Sequence, residues 1–370
     1  MNQNKNHIAL DLLAVVLIVF ILYTLRVVLV PLMFAVILST LIYPIVHYFE
    51  TYVCFNRVAA ISFAILMFCS LIFVLFVILG MQFNDIMDRS GSYYESVSKK
   101  LTDLIHHTEK TTGLGTNEII GGDDIEIKSI VKKNSTKILD FITSSGSIIG
   151  DFILTPLYMF LFLLYRDFLK SFLFKAVVNT NNKLKMKSIL SELYNIQHKY
   201  LIGLVTVMVI VGLLNSLGLL LLGIEYPFFF GFFCALLLLI PYIGIIIGSL
   251  LPALIALATK DSYWYALGVI GIFGFIQFIE GNIITPKITG TKVSLNELVS
   301  IVSMILFSLL WGIPGLILAL PITASLKVIF DHSERLKPFG FLLGSANDKY
   351  LESRAKNRLK IWKQIRASKS

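Results

Sequence analysis

Seventeen uncharged residues, Tyr263 to Ile279, run straight into Glu280, and Asn282, Thr285, Pro286 and Lys287 follow within seven positions. At 1.5 Å per helical residue the uncharged run reaches about 26 Å, close to the ~30 Å of a bilayer's hydrocarbon core. A carboxylate there either reaches the headgroups or meets a solute or ion, and ionisable groups at membrane depth mark pathways. The amide, hydroxyl and amine beside it favour the pathway. Glu280, Asn282, Thr285 and Lys287 are therefore the candidate substrate or ion contacts. Pro286 disfavours helical backbone at Thr285, so the spacing predicts a break, with Glu280 and Lys287 paired across it.

Two further stretches have the residues of broken membrane helices, "LIPYIGIIIGSLLPALIAL" at 239–257 and "LLWGIPGLILALPITASL" at 309–326. Interrupted apolar segments free backbone groups at membrane depth and are the sequence pointer to transporter sites. The glycine pairs alone fit close helix packing; the prolines are what packing does not need. The candidate hinge positions are Pro241, Gly244, Gly248, Pro286, Gly290, Gly312, Pro314, Gly315 and Pro321.

Other chemistry has no foothold. The chain has no GxxxxGK[ST] phosphate loop, no HExxH and no GxSxG nucleophile elbow, so neither an ATP-driven motor nor an enzyme is expected. His106 and His107 are adjacent and would not share a helix face. "GGDDIE" lacks the alternating oxygen ligands of a calcium loop. No metal and no cofactor are expected.

These residues need a membrane scaffold to position them, and the composition supplies one. The chain is 56% hydrophobic and 15% charged, with a mean hydropathy of +0.80, against about 25% charge in soluble domains. Long continuous apolar runs argue for helices rather than a β-barrel. The expected fold is an all-α polytopic membrane protein of about eight membrane segments. Its C-terminal half holds Pro/Gly-broken segments that either cross or re-enter as hairpins. Cys54, Cys69 and Cys234 have no CxxC spacing and read as small packing residues. The N-terminal apolar stretch is too long for a cleavable signal.

The chain divides into six regions. Residues 1–80 form an N-terminal three-helix membrane region, with helices near 8–26, 30–49 and 58–80. Residues 81–146 are expected to form an extracytoplasmic soluble insert, 147–165 a span, and 166–199 a basic cytoplasmic loop with a surface helix. Residues 200–330 are the C-terminal membrane core, and 331–370 a basic amphipathic tail. Asn215 and Ser216 sit mid-span and read as hydrogen-bonding groups toward a neighbouring helix. The 166–199 loop has seven basic and two acidic residues, and the tail from Lys327 has eleven and four. Both are expected in the cytoplasm, as is the N-terminus. The net charge of +9 is accounted for by these segments, and no nucleic acid is expected. The tail's basic face suits anionic lipid.

"IPYIG" at 240–244, "IEGNIITPKITGTKVSLNELV" at 279–299 and "WGIPGLILALPITASLK" at 311–327 together resemble the C-terminal signature of the autoinducer-2 exporter family. The layout resembles that family along the whole chain. The resemblance implies a bacterial inner-membrane protein that moves a small, very polar solute. It also implies homo-oligomers, with a pentamer as the expected form. Other members are described as sodium–proton antiporters. The family motif carries over onto Pro241, Gly244, Glu280, Asn282, Pro286, Lys287, Gly290, Gly312, Gly315 and Pro321. The position after Gly244, often proline in the family, is Ile245 here. Three functions follow in order: a secondary transporter or facilitator for a small polar solute, a sodium–proton antiporter, and a membrane scaffold working through its insert or tail.

Overall fold

The computed structural model describes residues 8–100, 146–176, 180–239, 243–288 and 295–344. Most of the 81–146 insert, most of the tail, Pro241 and Gly290 lie outside the described residues. The structure is helical, and among the described residues the one β feature is a bridge between Leu295 and Gly344. In chain order the helices are α1 (Ile8–Thr24), α2 (Arg26–Thr51), α3 (Arg57–Asp88), α4 (Gly146–Leu164), α5 (Arg166–Ala176), α6 (Thr180–Leu221), α7 (Pro227–Leu237), α8 (Ile243–Thr259) and α9 (Trp264–Ile279). A π-turn (Glu280–Ile284), α10 (Thr285–Ile288), α11 (Glu297–His332) and α12 (Lys337–Leu343) complete them. Residues 90–100 are also helical. Five helical stretches are long and apolar enough to cross a membrane, α11 being counted whole through its turn at Gly312, and four shorter apolar helices accompany them. An all-α polytopic membrane protein is what the composition predicts.

Three expectations change. The third helix, expected to end near 80, runs on to Asp88 as α3, into the first residues of the insert. The surface helix and the span after it are one continuous helix, α6, 42 residues long. Nothing between Lys199 and Leu201 breaks helix, so the boundary between basic and apolar residues is a change of surroundings and not of backbone. Cys54 is exposed in the α2–α3 turn at φ +58°; the packing role fits only buried Cys234.

The helices form two compact units. In the first, α2, α6 and α11 meet through Val30, Ile37, Leu201, Trp311, Leu318 and Ile322. The Trp311 indole N–H donates to the Leu22 carbonyl at 3.0 Å. The Gln197 amide, buried in this unit, donates to the Pro321 carbonyl at 2.7 Å and to the Ser325 hydroxyl at 2.5 Å. The corner between α4 and α5 is fixed by charge. Arg166 pairs with Glu50 at 2.6 Å, and Arg57 with Asp167 at 2.8 Å while also donating to the Leu163 carbonyl.

Within this unit α11 is a helical hairpin. A straight helix of 36 residues would be about 54 Å long. Yet the Asn296 N–H, just before it, donates to the Leu343 carbonyl at 3.1 Å. From His332 the chain can reach Leu343 only over about 40 Å at full extension, so α11 must fold back. The reversal is at Gly312, whose φ of +68° and ψ of −143° lie where side chains other than glycine's are strained. The arms are 297–311 and 313–332, about 22 and 30 Å long. Gly315 serves a different end. A Cβ there would collide with the Phe307 carbonyl, whereas a Cβ on Gly312 meets nothing within 4 Å. Gly312→Ala is therefore expected to cost about 1–3 kcal/mol from backbone strain alone. Gly315→Ala acts by backbone collision, and denaturation in detergent should show its loss growing with side-chain size, from Ala to Val, more steeply than at Gly312.

The second unit contains the later part of α3, the second half of α6 and α7 to α10. Leu79, Leu219, Phe229, Phe230, Cys234, Ala256, Val269 and Phe273 form its core. Here α7 and α8 pack against each other. The Cys234 thiol donates to the Gly248 carbonyl at 2.8 Å, and a Cβ on Gly248 would press on Cys234. At 11 residues, α7 is only about 16 Å long. The start of the insert is tied to this unit. Tyr93 donates to Glu225 at 2.7 Å, and Lys100 donates to the carbonyls of Leu257 and Lys260 at the end of α8. Burial, then the bond to Glu225, pushes the Tyr93 phenol above its ordinary range.

Candidate functional site

The site begins with the face that α9 buries. Val269, Phe273 and Ile276 are 0%, 6% and 6% exposed, and their spacing of three to four residues marks one stripe. Glu280 is the next position on it, four residues after Ile276. Its carboxylate is thus turned toward packed protein, and it is partly buried. Oε2 accepts from the Gln277 amide at 2.5 Å, and Oε1 accepts from the Thr285 hydroxyl. Both carboxylate oxygens are held by neutral donors, and among the described residues no cation pairs with them.

The backbone beneath is unusual. Residues 280–284 are wound as a π-helix, and the Thr285 N–H bonds to the Glu280 carbonyl, five residues back. In an α-helix that N–H would serve Gly281. The other donor in reach, position 286, is proline and has no N–H. The Gly281 carbonyl therefore has no backbone donor from its own helix. Single-turn π insertions of this kind concentrate at functional sites. A carboxylate, a hydroxyl and a released carbonyl are the hard oxygens that a small cation or a polyhydroxylated solute can use.

The structure brings together some of the sequence candidates and separates others. Glu280 and Thr285 meet. Asn282 is exposed, and its amide is turned back onto the Phe278 carbonyl at 2.8 Å. Lys287 is exposed and is not paired with Glu280. The expected Glu280–Lys287 pair does not form because residues seven apart are about 10 Å distant along a helix axis, and the Gln277 and Thr285 side chains are nearer. The expected break at Pro286 is also absent. The π-turn absorbs the missing N–H, and α10 continues through Pro286. Gln277 was passed over as part of an uncharged run, although its position three residues before Glu280 is the spacing of a same-face pair.

Among the hinge candidates, Gly312 and Gly315 are at the turn of α11, Pro314 follows on its second arm, and buried Pro321 supplies the carbonyl that Gln197 binds. Gly244 is in the first turn of α8, and Gly248 is at the α7–α8 contact. Among the described residues no group of three or more His, Cys, Asp or Glu side chains could hold a metal ion.

Comparison with known proteins gives the family of the chain. The sequence model described as AI-2E family transporter matches residues 12–335, which includes the α7–α8 pair, the α11 hairpin and the Glu280 turn. The chain belongs to the AI-2E family. Within it, YrrI of Bacillus subtilis strain 168, named "Putative transport protein", is 34% identical over 138 residues, 37% of this chain and 38% of YrrI. A Haemophilus influenzae protein of the same descriptive name is 30% identical over 152 residues, 40% of this chain and 43% of that one. TqsA of Escherichia coli K12, named "AI-2 transport protein", is 26% identical over 162 residues, 44% of this chain and 46% of TqsA. The chain thus spans about two fifths of the length of the curated relatives it matches. As an AI-2E family member with five crossing-length helical stretches, it is a multi-pass membrane protein.

Proposed function

We propose that this AI-2E family chain is a secondary transporter or facilitator that exports a small polar solute of the AI-2 kind across the bacterial inner membrane. The observation that carries the reading is Glu280: a carboxylate on the buried face of a crossing helix, held by Gln277 and Thr285 beside a released backbone carbonyl. A polar solute replaces water at such a group with hydrogen bonds, and the two neutral donors keep the carboxylate aimed while it waits. The name of TqsA supports the solute class. Both termini are assigned to the cytoplasm by the lysine and arginine excess of the 166–199 loop and the tail. The chain works as a homo-oligomer, and its tail rests on anionic lipid. Exposed Phe339, Phe341 and Leu342 on α12, just before that tail, suit the headgroup boundary.

The same oxygens support a second reading, sodium–proton antiport, in which Glu280 exchanges a proton for the cation. One experiment separates the two. Proteoliposomes containing a pH-sensitive dye receive a sodium pulse, and parallel vesicles loaded with AI-2 are assayed for its release. The exporter reading expects AI-2 release that Glu280→Gln lacks and no sodium-driven proton signal. A proton signal that Glu280→Gln abolishes, with no AI-2 release, establishes the antiporter instead.

A further inference from the structure

Six buried side-chain atoms among the described residues have no hydrogen-bond partner, those of Ser39, Glu50, Arg57, Arg166, Gln197 and Asn215, and of these Asn215 alone lies in the second unit, with Glu280. Asn215 sits midway along the apolar half of α6 and is 4% exposed. Its Oδ1 is fully enclosed and has no hydrogen-bond partner. The expectation that Asn215 and Ser216 bind a neighbouring helix is not met. Ser216 donates to the Gly212 carbonyl of its own helix at 2.7 Å, and the Asn215 oxygen goes unanswered. Buried polar groups in proteins are nearly always satisfied, so each exception calls for a reason.

Its position supplies one. On one side, α6 meets α7: a Cβ on Gly212 would touch the Phe232 ring at 3.0 Å, and one on Gly231 would meet the Ser216 N at 2.6 Å. On another side, α6 meets α9, through Val211 and Ile276 and through Gly218 and Ile272. At 100° per residue, position 215 falls between the directions of 212/216 and 211/218, in the seam where α6, α7 and α9 come together. The α6–α9 register, with 218 against 272 and 211 against 276, sets Asn215 opposite residues 272–275, about 8–12 Å from Glu280 along the seam. Gln277, which already holds Glu280, lies in the interval.

We propose that Asn215 is a second polar contact on the solute path. Its amide oxygen is kept unpaired by the fold so as to accept a hydrogen bond from a hydroxyl or N–H of the solute as it moves along the α6–α9 seam. The inference rests on the reading of Glu280 as a solute contact, and it specifies a solute with donor groups on more than one side.

The test uses the full chain in proteoliposomes, with Cys54, Cys69 and Cys234 replaced by alanine. Single cysteines at 215, at 280 and at lipid-facing Leu217, which is 54% exposed, are treated with a membrane-impermeant cationic methanethiosulfonate. Only the thiolate reacts, and apolar surroundings suppress it, so Asn215→Cys is expected to react about tenfold or more faster than Leu217→Cys. In the otherwise native chain Asn215→Leu is expected to raise the melting temperature, because it removes an unanswered buried amide, and to slow AI-2 release. A cysteine at 215 as inert as one at 217, or a lowered melting temperature in Asn215→Leu, overturns the inference. Reactivity at 280 with inertness at 215 sinks Asn215 alone, and reactivity at 215 with inertness at 280 sinks the Glu280 site alone.

Discussion

Glu280→Gln is expected to cut AI-2 release from proteoliposomes by about ten- to a hundredfold with the melting temperature nearly unchanged. The substitution keeps the size and planarity of the side chain. It removes the charge and turns one acceptor into a donor that faces the Gln277 amide or the Thr285 hydroxyl, both of which donate in the native protein. A hydrogen bond to a charged group contributes about 1.5–3 kcal/mol, which is the one to two decades expected if the solute or cation binds the carboxylate itself. Stability should hardly respond, because the group is partly exposed and the turn is set by backbone bonding and Pro286. The companion Gln277→Leu separates aiming from binding: it should weaken transport less than Glu280→Gln does. Equal flux in wild type and Glu280→Gln would remove Glu280 from the pathway.

The largest effect on stability is expected at Arg166. Its guanidinium bonds Glu50 at 2.6 Å, and the two side chains are only 18% and 15% exposed. It also lies over the Tyr43 ring, 5.3 Å from the centroid. Breaking a buried pair by removing one partner leaves the other charge without compensation, at about 3–5 kcal/mol. Arg166→Met should lose that much, and Glu50 should then be the reason. Replacing both, as Arg166→Met with Glu50→Leu, should recover most of the loss, because the attraction of such a pair is largely offset by its desolvation. Urea titration in mild detergent checks this. A double variant no more stable than Arg166→Met alone would show that Arg166 acts through the Tyr43 contact instead.

The parts of this molecule differ in how far the sequence discloses them. Helix ends at Thr24, Thr51 and Leu164 lie within two residues of where the apolar runs stop, because hydrophobic length is a local property. The α11 turn was legible in kind: glycine and proline inside an apolar run predict irregular backbone, and Gly312 provides it. Its direction was not, since a reversal depends on the bond between Asn296 and Leu343, 47 positions apart. The Glu280 turn was half legible. The carboxylate stood out against seventeen uncharged residues, but proline statistics predicted a break where the chain instead winds one residue wider. Arg166 and Asp167 stand in the sequence simply as the first residues of the basic loop after the 147–165 span. That each pairs with a different distant residue, Glu50 and Arg57, is a fact of the fold.

The reversal in α11 also constrains how the chain enters the bilayer. Its first arm is about 22 Å long and α7 about 16 Å, both short of the ~30 Å that a stable crossing needs. Neither is a stop-transfer segment by itself. Each must leave the translocon together with the arm that follows, so that backbone at the turn is covered by the partner helix and never faces lipid alone. Biogenesis of this protein therefore proceeds by pairs in its C-terminal half. Truncation after Gly312 should release a short apolar segment for degradation rather than leave a shorter membrane protein.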